Sequence, residues 1–537
     1  MGRSNEGQVD RSITSGADFL QLNTEEAPPG GLSGWLAARL RDAIADGRLP
    51  VGGRLPATRV LAAELRVSRG VVTEAYQRLS EDGHVTGRGR NGTVVVAARL
   101  PPVTAVAAIS TTAAGPGGPT GPTAGQAPGT ANGPAPGTAA GPAPRTVGGP
   151  APGTADGLFA GTPGTEVFDA LRATPARIDL SPGLPELAAF PRAAWLRAER
   201  SVLAGLSPGE FGYSDPRGAP ALRLAVSRWL ARNRGVRADP GEVIVVCGVA
   251  QALGLMAQVL RAEGITAIAV EDPGSLGTRQ HLRSWQIETP PVPVDAGGVR
   301  VDALAAGGTR AVLLTPAHQF PMGVVLDGER RRELMGWAAG GGLVIEDDYD
   351  AEHRYDRPPV PALRSMLAER VCYTGSVSKL LAPALRVGWL IPPPRYQQAL
   401  VEAKRFADLG NALLPQLVLA HLMESGEMER HLRFLRRRHR RRRDAMIEAI
   451  KSGLPGATVH GAAAGLHLTV TFRSSFADTD LATAALERGV KVHPLSWHRQ
   501  RPGPPGLVLG YAANPATNIS DGVAAVGVAA QDLLSSP

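Results

Sequence analysis

Between residues 57 and 83 the apolar positions recur at helical spacing. "ATRVLAAEL" reads as a short helix, "RVS" as a turn and "RGVVTEAYQRLSEDG" as a second helix. In the second helix Val72, Tyr76 and Leu79 fall at i, i+4 and i+7 and are expected to pack inward. Arg69, Thr73 and Gln77 fall on another face, polar and able to meet phosphates and base edges. Ser68 is placed to cap this helix and Gly83 to end it. "HVTGRGRNGTVVV" then predicts a β-hairpin wing with Arg88 and Arg90 near its tip. Helix, turn, helix and basic wing suit docking in a DNA major groove, with wing contacts to the backbone. A small protein-interaction module is the other reading.

Further along, the pattern changes twice. The segment "GPTAGQAPGTANGPAPGTAAGPAPRTVGGPAPGTADG" repeats APGTA from 127, 135 and 151, with almost no charge or large apolar residue. Such a stretch cannot bury enough surface to offset chain entropy. Over 100 to 156 a flexible chain would have a root-mean-square span of about 40 Å. From about 170 onward the runs "VIVVC", "TAIAVE", "RAVLLTP", "GLVIEDD" and "RVCYTGS" alternate with helical stretches. That alternation predicts an α/β domain with a mostly parallel sheet. The chain thus divides into a loose tail (1–29), a DNA-binding head (30–98), a Pro/Gly/Ala/Thr-rich linker (99–170) and a large domain (171–537).

Composition sharpens this. A formal charge of +8 and a pI near 9.9 favour a polyanionic partner where the charge is clustered. Two cysteines, Cys247 and Cys372, make neither a disulfide framework nor a metal cluster, which points to a reducing cytoplasm. No signal-peptide plan opens the chain, and no apolar run is long enough to span a membrane. Arginine in place of lysine, with abundant Ala, Gly and Pro, suggests a GC-rich bacterial genome.

That arginine preference exposes a chemical candidate. Of 57 basic residues only Lys379, Lys404, Lys451 and Lys491 are lysines, and none precedes position 379. Arginine cannot lose its proton to become an amine nucleophile. A lysine inside the Ser-x-Ser-Lys turn of "SVSKLLAPALRVGW" therefore suggests Schiff-base chemistry, with a surface lysine as the alternative. Other parts line up in chain order. The turn Gly248, Val249, Ala250 between strand and helix is a natural phosphate seat. "LVIEDDYD" ends a strand in carboxylates, one of which could keep a pyridine nitrogen protonated. A nearby tyrosine could bond the ring hydroxyl, and serines with Arg386 could hold a phosphate. "HLRFLRRRHRRRRDAM" (431–446) reads either as a second DNA surface or, favoured here, as a solvated helix face joining two subdomains.

Two resemblances follow from these motifs. Residues 47 to 83 resemble the winged helix-turn-helix of the GntR regulators, through Gly47, Leu49, Gly52, Leu55, Pro56, Arg59, Leu61, Ala62, Leu65, Val67, Ser68, Arg69, Val72, Ala75, Tyr76, Leu79 and Gly83. By that similarity Arg59, Ser68, Arg69 and Thr73 should touch DNA, with Arg88 and Arg90 in the wing; Gly70 has no side chain with which to read a base. Residues 175 to 530 resemble the fold-type-I aminotransferases. Joined to such a head, "YSDPRG", "EDPGS", "TPAHQFPMG", "IEDDYDAEHRY" and "YTGSVSKLLAPALRVG" look like the MocR/GabR subfamily.

The resemblance implies pyridoxal 5'-phosphate on Lys379, with Asp347 on the pyridine nitrogen and Tyr349 on the ring oxygen. Ser376, Ser378, Arg386 and residues 248 to 250 would hold the phosphate. Tyr213 would reach the phosphate of a neighbouring subunit, making the protein a homodimer. Two departures bear on the ligand. Ser275 and Gly277 stand where relatives that respond to γ-aminobutyrate have tyrosine and arginine, so that compound is not the expected effector. Phe320-Pro321-Met322-Gly323 replaces the enzymes' Asn-Pro-x-Gly, leaving His318 or Gln319 to take the asparagine's place. The expected function is a cytoplasmic, bacterial, nucleoid-associated transcription regulator that binds operator DNA and senses an amine, an amino acid or pyridoxal phosphate. Transaminase activity is expected to be weak at most. The rivals are a true aminotransferase with a fused head, and a regulator of vitamin B6 supply whose effector is the cofactor itself.

Overall fold

The computed structural model describes residues 22, 24–28, 31–45, 48–49, 52–81, 84–87, 92–96, 155–355 and 360–535. In the head, α1 (Leu32–Ala45), α2 (Thr58–Glu64) and α3 (Arg69–Glu81) precede a hairpin of β1 (Val85–Gly87) and β2 (Thr93–Val95), paired Val85 to Val95. Helical spacing has sorted the side chains as expected. Val72, Tyr76 and Leu79 are buried with Leu36, Leu40, Ile44 and Leu61, while Arg69, Thr73 and Gln77 are exposed. The buried Tyr76 hydroxyl donates to the Pro56 carbonyl at 2.7 Å, so the aromatic ring enters the core with its polar end satisfied. Ser68 Oγ accepts from the Val71 amide at 3.4 Å, as an N-cap does. Arg59 is exposed on α2, and Arg69 Nε donates to Thr58 Oγ1 at 3.4 Å, tying α3 to α2. Gly83, Arg88, Arg90, most of the 1–29 tail and the repeats of the linker lie outside the described residues.

After β3 (Ile178–Asp179), the large domain is built on β4 (Ile244–Val246), β5 (Ala269–Asp272), β6 (Pro291–Asp295), β7 (Gly298–Val299), β8 (Ala311–Leu314), β9 (Leu343–Asp348), β10 (Val371–Ser376) and β11 (Gly388–Ile391). The order across this eight-stranded sheet is β4-β11-β10-β9-β8-β5-β6-β7. Only β11 and the short return β7 run against the rest. Its apolar runs are continuous rather than alternating because helices cover both faces. The parallel strands deliver their C-terminal ends (Asp272, Leu314, Asp348, Ser376) to one edge, where loops can hold a ligand. A smaller sheet combines β12 (Thr458–His460), β13 (His467–Thr471), β15 (His493–Pro494) and β16 (Gly506–Gly510); β14 (Val490–Lys491) pairs in parallel with β3.

Two expectations change. The sequence pattern extends the linker over 99–170, but residues 155–170 are folded onto the large domain. Phe159 is 2% exposed and stacks on Trp497 with ring centroids 5.3 Å apart. The helix α5 (Val167–Ala173), which follows α4 (Ala155–Leu158), buries Val167 and Leu171 in the same cluster. The physical reason is that Phe159, Val167, Phe168 and Leu171 supply the apolar surface that the repeats lack. The arginine-rich stretch, within the helix Glu427–Gly453, is not simply solvated either. Arg438 and Arg442 both bind the buried Glu186, Arg436 donates to the Glu352 carbonyl, and Arg443 donates to that of Ala462. Its joining role holds, while Arg433, Arg437 and Arg441 are exposed.

Candidate functional site

Strand alternation decides what each carboxylate of "IEDD" does, because side chains two apart share a face. Glu346 and Asp348 point to one side. Glu346 accepts from the Leu363 and Arg364 amides at 2.9 and 3.1 Å. Asp348 Oδ2 accepts from Arg234 Nε and from the Tyr373 hydroxyl, both at 2.5 Å. Asp347 points to the other side, into a cavity of about 360 Å³ that Lys379 and Tyr349 also line. Burial, with help from Asp348 and Asp350, raises the Asp347 carboxyl to about 7, although Lys379 opposes the shift.

Lys379 follows β10 by three residues, in the turn that leads to β11. Its Nζ donates to the Gly183 carbonyl at 2.5 Å, and burial lowers its pKa against the opposing pull of Asp350 and Asp347. An amine held this way has less to lose on giving up its proton, the condition for nucleophilic attack on a carbonyl. On the far side of this turn, the Ser378 amide donates to Ser376 Oγ at 3.4 Å. Arg386 donates to the Cys247 carbonyl, next to the start of the helix Val249–Ala262. Gly248 has φ 80°, and a Cβ there would lie 3.3 Å from the Arg386 guanidinium. Glycine thus keeps a cradle open between the guanidinium and the amides of Val249 and Ala250, an arrangement suited to a phosphate. Buried Lys404 buttresses it, through Asp408 to Gln251 and through Asn411 to Cys247.

His318 Nδ1 lies 2.9 Å from both the Tyr349 hydroxyl and Asp350 Oδ2. Of the two residues expected to replace the missing asparagine, His318 therefore reaches the tyrosine. Gln319 instead donates to the Pro273 and Phe320 carbonyls. Burial pushes the Tyr349 hydroxyl well above its ordinary value, and the Asp350 and Asp347 charges add to this. Tyr213, 95% exposed, is not part of the cavity wall in the single chain.

Sequence reasoning missed part of this cavity. Its wall includes Ser181, Glu271, Lys491, His493 and His498. Glu271 accepts from the Thr315 amide and hydroxyl at 3.0 and 2.7 Å, and burial raises its carboxyl to about 7. A signal for Lys491 was available: it is one of four lysines, and the argument that singled out Lys379 applies to it equally. The triad His318, Asp350 and His467 has nitrogen and oxygen atoms within 4.8 Å of one another. However, glycines 323 and 465 pack against the His318 ring, with ideal Cβ positions 3.0 and 1.9 Å from its atoms.

Comparison with known proteins agrees with both halves. Residues 32–95 match the model for bacterial regulatory proteins of the gntR family, and residues 177–503 match that for aminotransferase class I and II. The "Probable rhizopine catabolism regulatory protein MocR" of Rhizobium meliloti is 31% identical over 494 residues, covering 91% of each chain. The "HTH-type pyridoxine biosynthesis transcriptional regulator PdxR" of Corynebacterium glutamicum is 28% identical and covers 92% of this chain and 94% of its own. Among solved structures, the alpha-aminoadipate aminotransferase LysN of Thermus thermophilus, complexed with N-(5'-phosphopyridoxyl)-L-leucine, superimposes with a TM-score of 0.62 at 28% identity, covering 71% of this chain and 97% of that one. A regulator's head in front of an aminotransferase fold, matched end to end by proteins of the same build, identifies the chain as a member of the MocR/GabR subfamily of GntR-family transcription regulators.

Proposed function

We propose that this regulator binds pyridoxal 5'-phosphate and uses it to sense a small amine or amino acid, altering its hold on operator DNA. The observation that carries the reading is Lys379, a half-buried lysine with a lowered pKa that shares one cavity with Asp347 and Tyr349. The residues present fit the group. Asp347 faces the cavity to hold a protonated ring nitrogen. Tyr349, backed by His318, bonds the ring hydroxyl. Ser376, Ser378, Arg386 and the amides of Val249 and Ala250 hold the phosphate, with Gly248, whose own amide donates to the Val246 carbonyl, keeping the turn open. When bound, the cofactor supplies an aldehyde that an amine can engage reversibly. Lys379 would be the residue that carries the group, and the effector's amine would compete with it for that position. The effector shifts the protein only by its different affinity for two arrangements of the molecule.

The head meets operator DNA through Arg59, Ser68, Arg69 and Thr73, joined by Arg88 and Arg90 of the wing. Among the described residues no helix is long and apolar enough to cross a membrane, and the bacterial cytoplasm is the proposed compartment. Exposed Tyr213 is proposed to complete the phosphate site of a second copy. A homodimer is therefore expected at micromolar concentration, and a monomer by light scattering would remove this role.

The test is a panel of amino acids and amines, read by cofactor absorbance, keto-acid production and operator affinity. The sensor reading expects at least one compound to change both the spectrum and the DNA affinity, with negligible keto acid. Rapid turnover with unaltered DNA binding would make the protein an aminotransferase. A response to cofactor alone would make it a regulator of vitamin B6 supply. In the same assay Arg69→Ala is expected to weaken specific binding by about 1–3 kcal/mol, and wild-type affinity to fall steeply with salt. Equal binding to random DNA by both proteins would defeat the regulator assignment.

A further inference from the structure

The segment by which the chain enters the large domain also walls the cavity. Phe168, Leu171 and Arg172 of α5 line it together with Asp347, Tyr349 and Lys379. The half-buried Phe168 ring stacks on His493, another wall residue, with centroids 5.6 Å apart, and meets Trp497 edge-on at 6.1 Å. Gly277 packs beside the same ring, where an ideal Cβ would lie 3.5 Å away.

This segment has no independent means of staying folded. The seven residues of α5 are too few for a helix to persist alone in water. Its hydrogen bonds are largely local. The Glu166 carbonyl accepts the Asp169 and Ala170 amides at 3.0 and 2.9 Å, and the Ala170 carbonyl accepts that of Thr174 at 3.0 Å. Gln280 Nε2 reaches across to the Gly164 carbonyl at 2.7 Å. Residues 160–162 and 164–166 are exposed. The segment is held down by Phe159, Val167 and Leu171, which are buried in the cluster around Trp497. Docking and folding of 155–173 are therefore one event, and whatever fills the cavity touches one side of the docked form.

A ligand that covers Phe168 and Leu171 makes those contacts only while the segment is docked. It favours that state by its extra affinity for it. The chain from the head reaches the large domain at Ala155, the first residue of α4. Release of 155–173 would move that point to Thr174 and add up to about 65 Å of extended chain. Tether length and starting point set the effective concentration of a second head at paired half-sites. We propose that residues 155–173 are the anchor that couples the cavity to the heads. An occupant with apolar surface against Phe168 and Leu171 clamps the anchor, shortens the free chain and changes how the heads reach paired half-sites. This goes beyond the sensor reading and rests on it only for the cavity being the ligand site.

Phe159 separates the two roles, because it holds the anchor without lining the cavity. Full-length protein, freed of cofactor with cysteine, is given the borohydride-reduced adduct of pyridoxal phosphate and valine. Amide exchange over 167–174 is expected to slow at least tenfold in wild type. Affinity for a selected operator with two half-sites should change at least threefold, and that for a single half-site should not. Phe159→Ala is expected to bind the adduct with wild-type absorbance changes, which also shows that it is folded, and to lose the response at the paired site. Phe159→Leu, which keeps apolar surface, should restore part of it. The anchor is overturned if exchange over 167–174 is the same with and without the adduct, or if Phe159→Ala responds as wild type does. If free amines change spectrum and DNA affinity while 167–174 exchanges unaltered, the anchor falls and the sensor reading stands. If the adduct protects the anchor and Phe159→Ala uncouples it, while no free amine perturbs the cofactor spectrum, the sensor reading falls and the anchor stands.

Discussion

Lys379→Ala protein is expected to emerge colourless and to carry no covalently fixed cofactor after borohydride reduction, whereas wild-type protein is yellow and is tagged at residue 379. The effect is all-or-none because a carbonyl condenses only with an unprotonated amine, and the other lysines are poorly placed for this. Lys404 is fully buried against Asp408 and Asn411, at 2.6 and 2.7 Å. Lys451 is exposed near the end of its helix, and Lys491 is paired with Asp179. Only Lys379 combines burial that lowers its pKa with Asp347 and Tyr349 in the same cavity. Peptide mapping of the reduced protein reads the result. A pyridoxyl tag that persists in the variant, on any lysine, would sink the assignment of Lys379.

The second large effect is structural. Arg234→Met is expected to destabilise the large domain by about 3–5 kcal/mol, since it strips the partner from a buried carboxylate. The Arg234 and Asp348 side chains are 0% and 1% exposed, and Tyr373 donates to the same oxygen. Burial works against the charge on Arg234, but Asp348 outweighs it and holds the guanidinium protonated. Removing both charges in Arg234→Met/Asp348→Leu should recover much of the loss, because an apolar pair of similar volume often replaces a buried ion pair at little cost. Denaturant unfolding followed by tryptophan fluorescence makes the comparison. A single-variant loss below about 1 kcal/mol, or a double variant worse than the single, would contradict the account.

How much of this could be read beforehand depended on whether the signal was local. The head was legible because one helix writes its own burial pattern: Val72, Tyr76 and Leu79 inward, Arg69 and Thr73 outward. The strand ends were legible as motifs, and "IEDD" becomes unambiguous once alternation separates Asp347 from Asp348. The linker's far end was misplaced because proline, glycine and threonine around it mask four apolar residues that matter only when Trp497 is folded against them. His498, His493 and Ser181 were out of reach for a different reason. They come from segments more than 300 residues apart, brought together by the pairing of β3 with β14 and by the Gly510 amide donating to the Leu180 carbonyl. Gln319 could not be separated from His318 by sequence, since both follow the same strand; only the packing directs His318 to Tyr349.

Lys404 and Lys491 are buried and Lys379 is half-buried in its cavity, and this has a chemical corollary for the living cell. Acyl donors modify exposed ε-amines, and this chain offers them Lys451 while Lys379, Lys404 and Lys491 are enclosed. The head has no lysine at all, so its cations are guanidinium groups that neither acetylation nor any physiological change of acidity can discharge. The charge the head presents is therefore fixed against both, and in the proposed homodimer regulation would act through where the heads stand rather than through how strongly charged they are.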